Sequence, residues 1–164
     1  MKKQNKNKKV VLAFSGGLDT SFCVPYLVDK GYQVITVTVD SGGLSDEKIN
    51  LIAKKSKELG ATKHYQIDAK QYYYDSIISW IIKTNGLYEG SYPNLVSSQR
   101  YHLVEKCLEV AKKEKAKYFA TGNSGMGNDQ IRFNIAAKIL NPNIELIEPI
   151  KDTGGNREEE KKFL

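Results

Sequence analysis

The sequence predicts an α/β fold, a doubly wound parallel sheet of five strands with helices on both faces. Three observations predict it. Short apolar or β-branched runs alternate along the chain with segments of helical period. Glycine-containing loops follow the first, second and fourth of these runs, at 15–19, 41–44 and 122–129. At 164 residues the chain suits one domain with a sizeable core.

The first run, Val10 to Phe14, reads as a buried strand. Gly16 and Gly17 then allow a sharp turn, and a helix is expected from Thr20 to Lys30, stopped by Gly31. Pro25 lies close enough to its start to be tolerated, with a kink. Gln33 to Val39, rich in Val, Ile and Thr, is the second strand. Asp46 to Leu59 is a helix carrying Ile49, Ile52, Ala53 and Leu59 near helical spacing, with Gly60 as its stop. Lys63 to Ile67 is a short third strand. Gln71 to Thr84 is expected as one helix with Ile77, Ile78, Ile81 and Ile82 on one face, ended by Asn85-Gly86. After a polar loop with Pro93, Ser98 to Lys115 is a helix whose inner face is Leu103, Val104, Cys107, Leu108 and Ala111. Tyr118 to Thr121 is the fourth strand. Asn128 to Leu140 is a helix with Ile131, Ile135, Ala136, Ile139 and Leu140 inward, and Ile144 to Ile147 is the fifth strand.

Composition excludes several classes. Hydrophobic residues make 40% and charged residues 27% of the chain, ordinary values for a globular protein, and no apolar run approaches a membrane span. The basic start, 1–9, leads into too short an apolar segment to be a secretory signal, so a cytoplasmic protein is expected. Cys23 and Cys107 are far apart and read as buried free thiols. The net charge of +6 owes much to Lys2, Lys3, Lys6, Lys8 and Lys9, read as a disordered leader over 1–8, so charge alone does not argue for nucleic acid.

On such sheets ligands sit outside the carboxyl ends of the strands. The first loop is the centre of interest. Gly16 and Gly17 let a ligand approach the backbone, and Ser15, Thr20 and Ser21 add hydroxyls beside the amides of a helix N-terminus, a nest for phosphate or another anion. It is neither a Walker A loop, since no lysine follows the glycines, nor Gly-x-Gly-x-x-Gly. The third loop, Thr121-Gly-Asn-Ser-Gly-Met-Gly-Asn-Asp-Gln-Ile-Arg132, opens its backbone with glycines and sets Asn128, Asp129 and Arg132 near the same edge, a combination suited to a polar zwitterion such as an amino acid. An ordinary turn and an Asn or Asp helix cap would use the same residue types.

Ser15-Gly-Gly-Leu-Asp-Thr-Ser21 resembles the PP-loop of the ATP pyrophosphatases, which split ATP between its α and β phosphates. With Gly122-x-x-Gly-x-Gly-Asn-Asp-Gln-x-Arg132-Phe133 and Tyr88-Glu-Gly-Ser-Tyr92-Pro, the chain resembles one branch of them, the argininosuccinate synthase family. The resemblance implies an adenine nucleotide alpha hydrolase-like, Rossmann-like fold and an ATP-dependent carbon–nitrogen ligase of arginine biosynthesis. Citrulline attacks the α-phosphate to give citrullyl-AMP and pyrophosphate, and aspartate then displaces AMP. It implies ATP with Mg²⁺ as substrate, no prosthetic group and no metal held by protein side chains, with a homotetramer in the full-length family. By resemblance, ATP meets Ala13, Phe14, Ser15, Gly16, Gly17, Leu18, Asp19, Thr20, Ser21, the backbone of Val39, and Gly122, Gly125 and Gly127. Citrulline meets Tyr92, Ser97, Asn128 and Arg132; aspartate meets Ser124, Asn128 and Asp129. No general base is assigned.

The sequence departs from the family at Thr121, where a His is usual, at Ser124, where Thr is usual, and at Met126. His64 and His102 read as structural or surface residues. The family's chain is more than twice as long, and 156–159 resembles a capping box opening a helix that stops at Leu164. The expectation is a nucleotide-binding domain over 9–151, followed from 152 to 164 by the start of a connection into a synthetase domain. Two alternatives stay open: a catalytically silent ATP-binding fragment, and a PP-loop tRNA-modifying enzyme, which normally needs catalytic cysteines near the loop.

Overall fold

A computed structural model describes residues 8–125 and 127–154, apart from the side chain of Val96. The expected leader up to residue 7, Met126 and the helix opening at Asn156 lie outside the described residues. Lys8 already joins the sheet, its carbonyl accepting from the Gln33 N–H at 2.9 Å.

The elements run β1 (Lys9–Ala13), α1 (Leu18–Asp29), β2 (Gln33–Asp40), α2 (Asp46–Glu58) and β3 (Lys63–Asp68). Then come α3 (Lys70–Tyr73), a π-helical turn (Tyr74–Ile78), α4 (Ser79–Lys83) and a small hairpin, β4 (Leu87–Tyr88) with β5 (Tyr92–Pro93). The chain continues through α5 (Leu95–Glu114), β6 (Tyr118–Ala120), α6 (Asn128–Leu140), β7 (Glu145–Ile147) and α7 (Pro149–Asp152). Five strands form one sheet in the order β3-β2-β1-β6-β7, every neighbouring pair parallel. The expected five-stranded doubly wound sheet is therefore present. The hairpin and α7 are additions, and α7 spans the expected boundary at 151–152.

The period of two along β1 separates the layers. Val11 and Ala13 join Ile35, Val37 and Phe119 in a core covered by α5 and α6 through Val104, Cys107, Phe133, Ala136 and Ala137. Val10, Leu12 and Phe14 point the other way, into a core with Phe22, Cys23, Val24 and Leu27 of α1, Ile52 of α2 and Ile150 of α7. The connections leave β1 toward β2 on one side, and α5 returns to β6 on the other. The order of strands therefore reverses between β1 and β6, and a crevice opens there at their carboxyl ends.

Two sequence expectations fail. In α6 the inward residues are Gln130, Phe133, Ala136 and Ala137, while Ile131, Ile135, Ile139 and Leu140 are exposed. The helix carries two apolar stripes, and the one with two alanines lies against the sheet. Gln130 is tolerated there because its amide donates to Glu148 Oε1 at 2.6 Å. The helix expected over 71–84 runs without a gap from Lys70 to Lys83, but it contains a π turn, which inserts one residue and rotates the residues after it by about 100°, so the expected isoleucine face fails. Ile77, Ile78 and Ile81 end half-buried and Ile82 exposed, rather than forming a core face.

At the amino edge of the sheet Glu114 closes α5 onto the strands. Its carboxylate accepts from Lys63 Nζ and Tyr65 Oη, each at 2.6 Å, and from Lys9 Nζ at 3.0 Å. Hydrogen bonds from Lys63 first, then Tyr65 and Lys9, hold its pKa down at about 2. Among the described residues no helix is long and apolar enough to cross a membrane.

Candidate functional site

The loop between β1 and α1 is built around its glycines. Gly16 has φ +75°, the left-handed region, and a Cβ there would lie 3.0 Å from Ile52 Cγ1, so a side chain has neither the conformation nor the room. Gly17 is the N-cap of α1 and makes no side-chain capping bond. The first intrahelical bond runs from Ser21 N–H to the Gly17 carbonyl at 2.9 Å, which leaves the Leu18, Asp19 and Thr20 amides without helical acceptors. Ser15 and Thr20 hydroxyls meet at 3.1 Å, and Gly17 N–H donates to Ser15 Oγ at 3.3 Å. From α2, Lys55 Nζ donates to the Gly16 carbonyl at 3.0 Å, fixing the outer side of the loop and bringing a cation to it. Donors on an exposed helix N-terminus are what an anion needs.

This loop forms one wall of a cleft of about 570 Å³. Of the expected ATP residues, Ala13, Phe14, Ser15, Gly17, Leu18, Asp19, Thr20, Val39 and Gly122 line it. Gly16 and Ser21 do not. Gly16 backs onto Ile52, and Ser21 is fully buried with its hydroxyl donating to the Gly16 carbonyl at 3.3 Å. The floor is held by Thr38, whose hydroxyl donates to the Phe14 carbonyl at 2.7 Å. At the end of β2, buried Asp40 accepts from Gly42 N–H at 2.9 Å and from Lys70 Nζ at 3.1 Å, shaping the second loop.

The third loop adjoins the first directly. A Cβ on Gly122 would fall 2.9 Å from Thr20 Cγ2 and 3.1 Å from Thr20 N. A second cleft of about 380 Å³ opens beside it, lined by Ser124, Gly125, Gly127 and Asn128, and shares Asp19, Gly122, Asn123 and Asp129 with the first. Gly127 is the N-cap of α6 and makes no side-chain capping bond, so Asn128 and Asp129 stand inside the first turn rather than acting as caps. Both oxygens of Asp129 are engaged, Oδ2 by Arg100 Nε and Oδ1 by Arg132 Nη1, each at 3.0 Å. Each oxygen retains a lone pair for another donor.

The expected citrulline group is not drawn together. Asn128 lines the second cleft, but Tyr92 and Ser97 line neither. Tyr92 is exposed on the small hairpin and Ser97 lies in the first turn of α5. Among the described residues, Arg132 meets the site through Asp129 and lines neither cleft. Gln99, Arg100, Leu103 and Phe133 are cleft residues that the sequence did not assign to the site. Gln99 Nε2 donates to Ser41 Oγ, tying α5 to the loop after β2. Phe133 closes the string that begins at Gly122, and Leu103 lies on the inner face expected for its helix, but no motif marks Gln99 or Arg100, and only their place near the start of α5 could have suggested them.

The histidines serve the fold. His64 Nδ1 is 2.8 Å from the buried Thr36 hydroxyl, and burial lowers its pKa. His102 stacks between Tyr72 and Tyr73 at 4.8 and 5.5 Å, and burial lowers its pKa too. Both cysteines are buried, and burial pushes the Cys107 thiol far up, away from a reactive thiolate.

With the geometry in view, comparison with known proteins identifies the family. Residues 9–164 match the family described as "Arginosuccinate synthase N-terminal HUP domain". The chain is 45% identical over 157 residues to argininosuccinate synthase of Pyrococcus furiosus, covering 94% of this chain and 38% of the relative. It is 41% identical over 153 residues to that of Staphylococcus haemolyticus, covering 93% and 38%, and 40% identical over 159 residues to that of Bacillus subtilis, covering 97% and 39%. The chain thus spans about two-fifths of the length of these relatives.

Among solved structures, a 4-thiouridine synthetase in complex with RNA and bound ATP superposes with a TM-score of 0.71 at 15% identity, over 97% of this chain and 41% of that one. A predicted subunit of tRNA methyltransferase from Methanocaldococcus jannaschii gives 0.60 at 21% identity, over 94% and 73%. At those identities the likeness is one of fold. By its sequence, the chain belongs to the argininosuccinate synthase family, where it matches the N-terminal HUP domain.

Proposed function

We propose that this chain is the ATP-binding domain of an argininosuccinate synthase, and that the whole protein joins citrulline to aspartate through citrullyl-AMP, releasing pyrophosphate and AMP. One observation carries the reading: the uncapped start of α1, with the Ser15 and Thr20 hydroxyls, faces a cleft at the crevice between β1 and β6. The donors there are amides and hydroxyls, which suit the β and γ phosphates that must leave together. The apolar wall of Val39, Leu103 and Phe133 suits a base.

The second cleft opens beside the phosphate end and offers Ser124, Asn128 and Asp129 to the amino-acid substrates. Citrulline's ureido oxygen forms a bond to the α-phosphorus as the bond to pyrophosphate breaks. Aspartate's amine then attacks the activated carbon, AMP departs and the amine loses its proton. The protein's share is alignment and charge stabilisation. Mg²⁺ accompanies the phosphates of ATP. The citrulline contacts expected at Tyr92 and Ser97 require closure of the hairpin and α5 onto the cleft, and that expected at Arg132 requires its release from Asp129, or support from the rest of the relatives' length. The chain alone is therefore expected to bind ATP without forming argininosuccinate.

Calorimetric titration with Mg-ATP tests this. Asp19 lines both clefts, so Asp19→Ala is expected to weaken binding. An unchanged affinity would place the phosphates elsewhere, and product formed by this chain alone from ATP, citrulline and aspartate would contradict the division of labour.

A further inference from the structure

The loop after β6 carries two polar atoms that the fold leaves unpaired. Thr121 is 3% exposed, and its Oγ1 has no hydrogen-bond partner among the described residues. Two residues on, Nδ2 of Asn123 is likewise shielded and unpartnered. Leaving buried polar groups unpaired is costly, and native folds keep few. Other buried hydroxyls of this protein are satisfied: Thr36 meets Ser56 at 2.6 Å, and Thr38 meets the Phe14 carbonyl at 2.7 Å. Both unpaired residues line the larger cleft, and Asn123 lines the smaller one as well.

Their position limits what they can meet. Thr121 shares the cleft wall with Ala13, Leu103 and Phe133, which suit a base. Gly122, between the pair, packs on Thr20 at the start of α1, the phosphate end. The two side chains stand where apolar wall and anion loop adjoin. A nucleotide crosses that junction with its sugar, whose neutral hydroxyls both donate and accept. A neutral hydroxyl and amide match them, while the phosphates have the amides of the first loop.

We propose that Thr121 and Asn123 form a ribose-binding pair that hydrogen-bonds the sugar hydroxyls of the bound nucleotide. The proposal rests on the reading of the cleft as an ATP site. It also gives a task to Thr121, the position where this sequence departs from the usual His.

The test is titration of the wild type, Thr121→Val, Thr121→Ser and Asn123→Ala with Mg-ATP, 2′-deoxyATP and 3′-deoxyATP, alongside melting without nucleotide. The wild type is expected to prefer ATP to at least one deoxy analogue. Thr121→Val and Asn123→Ala should each weaken ATP about fivefold and erase that preference, the loss of one neutral hydrogen bond. Thr121→Ser should restore it. Melting of Thr121→Val should be unchanged or higher, since it removes an unpaired buried hydroxyl; a residue that only supports the fold would lower it. If Thr121→Val does not fold, Asn123→Ala carries the test. Wild-type affinity and preference in both variants would overturn the proposal while Asp19→Ala still weakens binding. If the wild type fails to bind ATP at all, the reading of the cleft falls first and this proposal with it.

Discussion

Replacing Gly122 by alanine should damage both the fold and nucleotide binding. The new Cβ would lie 2.9 Å from Thr20 Cγ2, 3.1 Å from Thr20 N and 3.4 Å from the Asp19 carbonyl carbon. Carbon atoms rest at about 3.5–4.0 Å, so the loop after β6 and the start of α1 must part by about 0.5–1 Å. The Thr20 methyl can rotate, at the expense of its hydroxyl contact with Ser15, but the backbone nitrogen cannot. Overpacking of this kind costs about 2 kcal/mol, and the melting temperature of a domain of this size falls by about 6 °C.

The displaced atoms are those that would face phosphate, so the loss of one charge-assisted hydrogen bond or more weakens ATP by at least about tenfold. Circular dichroism melting and calorimetry measure the two effects. Thr20→Ser removes Cγ2 but keeps the hydroxyl, so the double variant should recover part of both losses. A Gly122→Ala protein that melts and binds ATP like the wild type would refute the claim that the two loops interlock. So would a double variant no better than the single one.

Two further variants extend the account. Glu114→Gln should cost about 2 kcal/mol through lost charge-assisted hydrogen bonds. Because the folded pKa of Glu114 is depressed to about 2, its contribution is complete above the unfolded carboxylate range and fades as pH falls from about 4.5 toward 2. Acid melting curves of wild type and Glu114→Gln should therefore converge at low pH, and a constant gap between them would contradict the assignment. Arg100→Met should change stability by less than about 1 kcal/mol, since Arg100 and Asp129 are 26% and 43% exposed. It should nonetheless weaken Mg-ATP several-fold, because the cleft wall loses a cation and the Asp129 carboxylate loses a neutralising partner; a superimposable binding curve would count against a nucleotide in that cleft.

The alternation of elements, the strand positions and the loop that organises the site were legible in the sequence, because each depends on short-range chemistry: β-branched runs, glycines that permit turns, helix stops. The expectations that failed depend on tertiary geometry. The isoleucines at 131, 135 and 139 form as clear a helical stripe as the buried one, and hydrophobicity favours them. Close approach of a helix to a sheet favours Ala136 and Ala137 instead. The helix expected from Ser98 begins earlier, at Leu95, and the Ser98 hydroxyl bonds back to the Asn94 carbonyl at 2.8 Å, as serines inside helices do. The π turn has no local signature, and it moved the expected isoleucine face. At the site, the stretch from Ala13 to Thr20, Gly16 apart, lines the cleft and is contiguous in sequence, whereas Gln99 and Arg100 enter only because α5 crosses over the loops.

The central claim is that the loops after β1 and β6 together hold ATP at the crevice between those strands. Amide chemical shifts of the chain, followed while Mg-ATP is added, test it most directly. Saturable shifts concentrated at Gly16 to Thr20 and at Gly122 and Asn123, with Lys9, Lys63 and Glu114 at the opposite edge unmoved, are the predicted result. Shifts confined to that opposite edge, or none at saturating nucleotide, would contradict it.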